Sequence, residues 1–265
     1  MSNIAKTFEK LKKQKNKALV PYIMAGDPEL AITEALVPEL AKAGADIIEL
    51  GVPFSDPLAD GPTIQRAAER ALRHRVSLAN VIAMVKRLRS GGCTVPIVLM
   101  TYYNPVLKYG EKRFVKDAVS AGVDGVIVPD LPPEEAGVLK QAAEKAGLDT
   151  IFLLAPTSTA ERIALVGGVT SGFIYYVSLT GVTGARKALA EGLATSVKKI
   201  KKTTDKPVCV GFGVSTPEQA AEVAGFADGV IVGSALVNVI EQHVGKKGLV
   251  KEAATFVSVL KKAIS

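Results

Sequence analysis

Three carboxylates crowd one short stretch, Glu49 followed by LGVPFSDPLADG at residues 50–61. Glu49 stands near the end of IIELG, a run of strand formers in which an acid is costly to bury without a role or a partner. Two uses fit it. One is a general acid–base whose pKa desolvation raises toward neutrality; the other is a structural carboxylate tied to backbone donors or a neighbouring Lys or Arg. Asp60, between Ala59 and Gly61, leaves room for a ligand to approach. Asp56, between Ser55 and Pro57, suits a turn residue accepting local N–H bonds rather than a proton-transfer group.

Glycines form the second chemical feature. Gly211-Phe212-Gly213-Val214-Ser215, Gly233-Ser234-Ala235 and Gly181-Val182-Thr183-Gly184 each follow an apolar run, and a short helix begins at the second of them. Glycine lets backbone approach a ligand, and the free N–H groups of a helix N-terminus favour an anion. Any one of these stretches alone also suits a plain tight turn. Neither a Walker pattern nor a helix-opening G-x-G-x-x-G is present, which disfavours a nucleoside triphosphate or dinucleotide. The two histidines, His74 and His243, fall in or beside helical segments, so neither a His-based triad nor a His-rich metal site is indicated. No lysine ends a buried run, which argues against Schiff-base aldol chemistry. An apolar set, Tyr22, Ile64, Met100, Ile127, Tyr175, Phe212 and Val232, reads as barrel packing; its aromatics near strand ends also suit a slot for a flat aromatic ligand.

The elements that must position these residues repeat. Ala43-Gly44-Ala45-Asp46, Ala121-Gly122-Val123-Asp124 and Ala146-Gly147-Leu148-Asp149 each close an alanine-rich helical stretch and precede an apolar run, and Ala224-Gly225-Phe226-Ala227-Asp228 is expected to do the same. A left-handed glycine ends the helix, and the next residues enter a strand buried on both faces. Eight such runs occur, at 18–26, 47–51, 96–102, 125–130, 150–156, 173–178, 207–213 and 229–234. Helical patterns at 29–43, 78–89, 111–121, 134–146, 159–166, 188–202 and 216–224 separate them, with additional helices at the N-terminus and around 63–73. Eight helix-separated strands without a linker predict an α/β fold, one closed (β/α)8 TIM barrel spanning residues 1–265, with an open doubly wound sheet as the fallback. In that barrel the loops after the strands build the active site, and those after strands seven and eight form its recurring phosphate site. Glu49, Asp60 and the glycine stretches therefore converge on one mouth.

Composition sets the outer bounds. With 48% hydrophobic and 22% charged residues, a buried core is affordable and no disorder signature is present. The net charge of +7 includes a lysine-rich first helix without interleaved aromatics, better read as a solvated face than as a nucleic-acid surface. The amphipathic start lacks the uninterrupted apolar core of a signal peptide, and no run is long enough to span a bilayer. Two cysteines, Cys93 and Cys209, lie in or beside apolar runs and point to a reducing, cytoplasmic setting.

IELGVPFSDPLADG, residues 48–61, resembles the signature of the tryptophan synthase alpha subunit family. The similarity extends to Ala25-Gly26-Asp27-Pro28, Thr101-Tyr102-Tyr103-Asn104-Pro105, Pro129-Asp130-Leu131-Pro132, Gly181-Val182-Thr183-Gly184, Gly211-Phe212-Gly213-Val214 and Val232-Gly233-Ser234-Ala235, nearly the whole chain. The resemblance implies a lyase that splits indole-3-glycerol phosphate into indole and glyceraldehyde 3-phosphate in tryptophan biosynthesis. By the same resemblance Glu49 is the general acid–base and Asp60 holds the indole N–H. Tyr175 helps position the substrate, Thr183 closes over the site and orients Asp60, and Gly184, Gly213, Gly233 and Ser234 hold the phosphate. It implies no cofactor in this chain. The partner is a beta subunit that consumes indole with pyridoxal phosphate in an alpha-beta-beta-alpha complex, met by Pro53, Asp56, Pro57, Asn104, Pro105, Asp130 and Pro132. Asp56 is expected to act at that interface or in loop closure, and Leu179 and Thr180 to be the one variable point before the GVTG motif. The alternatives are another phosphate-binding barrel enzyme, such as a phosphosugar isomerase or an indole-glycerol-phosphate synthase, and a noncatalytic activator of a beta subunit.

Overall fold

The computed structural model describes residues 1–177, 186–211 and 213–265, with side chains from residue 192 onward in the helix that opens at Arg186. Among the described residues nine parallel strand segments form one sheet: β1 (Ala18–Met24), β2 (Ile48–Gly51), β3 (Ile97–Met100), β4 (Gly125–Ile127), β5 (Asp149–Ile151), β6 (Leu153–Leu154), β7 (Ile174–Val177), β8 (Val208–Gly211) and β9 (Gly229–Val232). Their order is β5-β4-β3-β2-β1-β9-β8-β7-β6. The two outer segments are halves of one run interrupted at Phe152, so the sheet closes on itself. The lower half pairs with β4 and the upper half with β7, with the Phe152 carbonyl accepting from Tyr175 N–H at 3.1 Å between them. The predicted fifth run thus appears as two segments because its hydrogen bonds change neighbour midway, as the stagger of a closed barrel requires.

Twelve helices surround the sheet among the described residues: α1 (Asn3–Gln14), α2 (Leu30–Lys42), α3 (Pro62–Arg73), α4 (Leu78–Ser90), α5 (Tyr103–Tyr109), α6 (Glu111–Ala121), α7 (Gly137–Ala146), α8 (Ala160–Val169), α9 (Arg186–Thr203), α10 (Pro217–Ala224), α11 (Ser234–Gln242) and α12 (Leu249–Ala263). Two of them, α5 and α12, lie outside the helical segments read from the sequence. Pro105 sits in the first turn of α5, where its missing N–H costs nothing. No described helix is long and apolar enough to cross a membrane.

Alternation along the strands sorts the core into two layers. Val20, Ile47, Val98, Ile127, Ile151, Phe173, Cys209 and Ile231 fill the barrel interior, where Ile4, Phe8 and Leu11 of α1 close its N-terminal end. Leu19, Ile23, Ile48, Leu50, Val230 and Val232 pack in the layer that includes the surrounding helices.

The repeated aspartates explain themselves at that N-terminal end. Asp46, Asp124 and Asp228 accept the backbone N–H of Leu19, Ile97 and Val208 at 2.8, 2.8 and 3.0 Å, and each pairs with one cation, Lys261, Arg89 and Lys201 respectively. Asp149 instead accepts from the Ser2 hydroxyl at 2.6 Å, which seats α1. Gly44, Gly122 and Gly147 take the expected positive φ. Gly225 does not: it stays right-handed at φ −62°. Its segment reaches the aspartate through one more residue than the others, and the turn is made without a left-handed glycine.

Candidate active site

The C-terminal mouth opens into a cavity of about 1010 Å³ lined by, among others, Tyr22, Glu49, Asp60, Ile64, Met100, Tyr175, Gly213, Gly233 and Ser234. These nine sequence candidates are brought together from β1, β2, β3, β7, α3, the start of α11 and three strand-end loops. Glu49 shares the inward parity of Ile47, one layer higher, so the same alternation that builds the core aims its carboxyl at the cavity. It is 1% exposed, and neither carboxylate oxygen has a hydrogen-bond partner among the described residues. Burial, and then the charge of Asp60, push its pKa from 4.5 to about 8. Among the described residues it is not tied to the donors that a structural carboxylate would have.

Asp60 lies in the loop between β2 and α3. Burial raises its pKa, and hydrogen bonding from the Tyr102 hydroxyl opposes the rise. Tyr102 also accepts the Ala59 N–H at 2.9 Å and stacks on Phe54, with ring centroids 5.3 Å apart. Gln65 Nε2 donates to the Asp60 carbonyl at 2.8 Å. Burial drives the Tyr22 and Tyr175 hydroxyls upward, with Glu49 and Asp60 adding to it, so both stay neutral donors. Their seats are glycines. A Cβ on Gly51 would collide with the Tyr22 hydroxyl, and one on Gly211 would lie 2.8 Å from the Tyr175 ring.

On the same cavity, Gly233 caps α11 with no side-chain cap bond, and Gly233, Ser234 and Ala235 all line it. The first N–H groups of that helix have no side-chain cap, and a helix N-terminus of this kind suits an anion. Gly213 holds φ +44° beside them.

Two candidates lie elsewhere. Ile127 is fully buried in the interior cluster, beneath a floor to which Met100, Leu153 and Tyr175 contribute. Val232 has the opposite parity and faces the helices, and Ile231 lines the cavity instead. Phe212, Thr183 and Gly184, with Leu179 and Thr180, lie outside the described residues. Tyr102 was missed as a site residue although its motif was singled out; it continues the inward parity of Val98 and Met100, which is the signal that would have found it. Around the rim, Asp56 accepts from the Ser55 hydroxyl at 2.6 Å and Asp130 from the Tyr103 N–H at 2.9 Å. Asp56, Asn104 and Asp130 are exposed, Pro57, Pro105 and Pro132 are half-buried and Pro53 is buried. Leu58 and Leu107 present apolar surface there, 93% and 55% exposed.

A closed parallel barrel whose C-terminal mouth gathers a buried acid, without a hydrogen-bond partner among the described residues, and a helix N-terminus into one cavity defines a (β/α)8-barrel enzyme. The family described as tryptophan synthase alpha chain matches residues 8–265. The alpha chain of Geobacter sulfurreducens is 56% identical over 264 residues, covering 100% of this chain and 99% of that one. That of Geotalea daltonii is 57% identical over 265 residues, with 100% of both covered. The tryptophan synthase subunit alpha structure from Legionella pneumophila superposes with a TM-score of 0.93 at 45% identity, covering 100% of this chain and 98% of that one. The chain belongs to the tryptophan synthase alpha chain family. It is a carbon–carbon lyase acting on indole-3-glycerol phosphate, and the reading as another barrel enzyme falls away.

Proposed function

We propose that Glu49 and Asp60 carry the cleavage of indole-3-glycerol phosphate, within one barrel domain spanning residues 1–265. The observation that carries the assignment is the buried Glu49 carboxyl, without a hydrogen-bond partner among the described residues and with a pKa of about 8, sharing one cavity with Asp60 and the α11 N-terminus. At neutral pH Glu49 is a carboxylic acid and gives its proton to C3 of the indole. Asp60 accepts a hydrogen bond from the ring N–H and stabilises the positive charge that forms on the ring. Glu49, now a carboxylate, takes the proton of the hydroxyl on the carbon attached to C3. The carbon–carbon bond breaks, its electrons return to the ring, and that hydroxyl becomes the aldehyde of glyceraldehyde 3-phosphate. One proton leaves Glu49 and one returns, so the cycle closes without metal or Schiff base.

Gly213, Gly233 and Ser234, with Gly184, hold the phosphate; Tyr22, Ile64, Met100 and Tyr175 form the slot for the indole, and Thr183 and Phe212 complete it. The rim with Pro53, Asp56, Pro57, Asn104, Pro105, Asp130 and Pro132 meets a beta subunit, which brings its own pyridoxal phosphate and uses the released indole in the cytoplasm. Exposed Leu58 and Leu107 on that rim support this placement. Glu49→Gln and Asp60→Asn, assayed for glyceraldehyde 3-phosphate release with and without a beta subunit, test the roles. Each should lower kcat by at least about a hundredfold; wild-type cleavage by Glu49→Gln would remove the acid–base assignment and favour a purely activating subunit.

A further inference from the structure

Behind the cavity, two packed helices that both start at its lining are fastened together. α3 begins next to Asp60, held there by Gln65, and α11 begins at Gly233 and Ser234. Both run away from the mouth. On α3, Arg66 and Arg70 lie one turn apart and both reach Glu241 in the last turn of α11. Arg66 is bidentate at 2.9 and 2.8 Å, and Arg70 donates through Nη1 at 2.6 Å. The rest of the Arg70 guanidinium grips Asp27 of the β1–α2 loop at 2.6 and 2.9 Å. Asp27 is 1% and Arg70 16% exposed, so this brace is shielded where ordinary surface ion pairs are not. Its planar fork satisfies two carboxylates at once, a geometry that lysine cannot reproduce. None of these residues lines the cavity.

We propose that Arg70 is a positioning residue that sets the distance between the acid that meets the indole and the backbone grip that meets the phosphate. This rests on the proposed reading of the site, in which the substrate spans both ends. A ligand that touches one end is indifferent to the spacing. A ligand that touches both pays for any misfit, and a misplacement of roughly 1 Å is enough to matter in such sites.

The test titrates the full chain with glycerol 3-phosphate, with indole, and with an indole joined to a phosphate by a three-carbon linker. Wild type should bind all three; failure of the wild type to bind either phosphate ester would overturn the phosphate assignment rather than the role of Arg70. In Arg70→Met and Glu241→Gln, affinity for each single-ended ligand should stay within about twofold while the linked ligand weakens about tenfold. The double variant should be no worse than the poorer single one, because the two residues form one unit. Arg70→Lys, which keeps the charge and loses the fork, should recover only part of the affinity. The proposal is overturned if the linked ligand binds every variant as well as wild type. It is equally overturned if all three ligands weaken in parallel, which is how a loss of general folding would read.

Discussion

Replacing Glu49 with glutamine should change how stability depends on pH, and the size of the change follows from the burial of this one carboxyl. Its pKa stands at about 8 in the folded chain against 4.5 for an ordinary glutamate. Below pH 4.5 the group is neutral in both folded and unfolded chains, and no stability is lost through it. Between those two values the unfolded chain releases the proton and the folded chain keeps it, so rising pH favours unfolding. Above about 8 the loss is complete. A gap of about 3.5 pH units at about 1.4 kcal/mol each gives a total of about 5 kcal/mol, an order-of-magnitude figure. Glutamine has the same shape and no proton to release, so its own desolvation cost is constant with pH. Urea unfolding of both proteins from about pH 5 to about pH 9 should therefore show the variant gaining steadily on the wild type across that window. Two parallel profiles would refute the reasoning, because they would mean that the carboxyl ionises as readily inside the cavity as outside it.

The same carboxyl governs catalysis in the other direction: kcat/KM should fall as pH rises through about 8, where the proton donor is lost, and Glu49→Asp should leave a weaker, displaced limb. Tyr102→Phe removes the hydroxyl that restrains the pKa of Asp60, so the acid limb of the kcat/KM profile should move to higher pH and activity should fall roughly tenfold. Gly211→Ala places a methyl 2.8 Å from the Tyr175 ring; KM should rise, with a stability loss of about 1–3 kcal/mol seen by urea unfolding. Arg89→Met strips Asp124 of its cation and three carbonyls of their donor, which should cost about 3–5 kcal/mol in the same assay while kcat is retained.

Much of this architecture is legible because strand parity and helix-ending glycines are local signals. Ile47 and Glu49 alternate in any register, and Gly44, Gly122 and Gly147 need a positive φ wherever they sit. What local pattern does not carry is the third dimension. The division of residues 150–156 into two segments depends on which neighbour each half faces. Val232 belongs by type to the apolar lining set, whereas the pleat gives that place to Ile231. Gly211 reads as a turn or ligand glycine and Gly51 as the end of a strand run, yet their lack of a side chain is spent on two tyrosines from other parts of the chain. The Asp27, Arg70 and Glu241 brace joins residues up to 214 positions apart, and no periodicity announces it.

The apolar stopper that α1 drives into the N-terminal end of the barrel, with Ile4, Phe8 and Leu11 buried against the interior cluster, closes the reaction chamber at that end and leaves the C-terminal rim as its doorway among the described residues. With that end plugged, a substrate and both of its fragments are led to the same rim, and a fragment that lingers there holds the way in. Any protein docked over that rim therefore decides the order of traffic without touching a catalytic atom, and can receive the aromatic fragment before bulk water does.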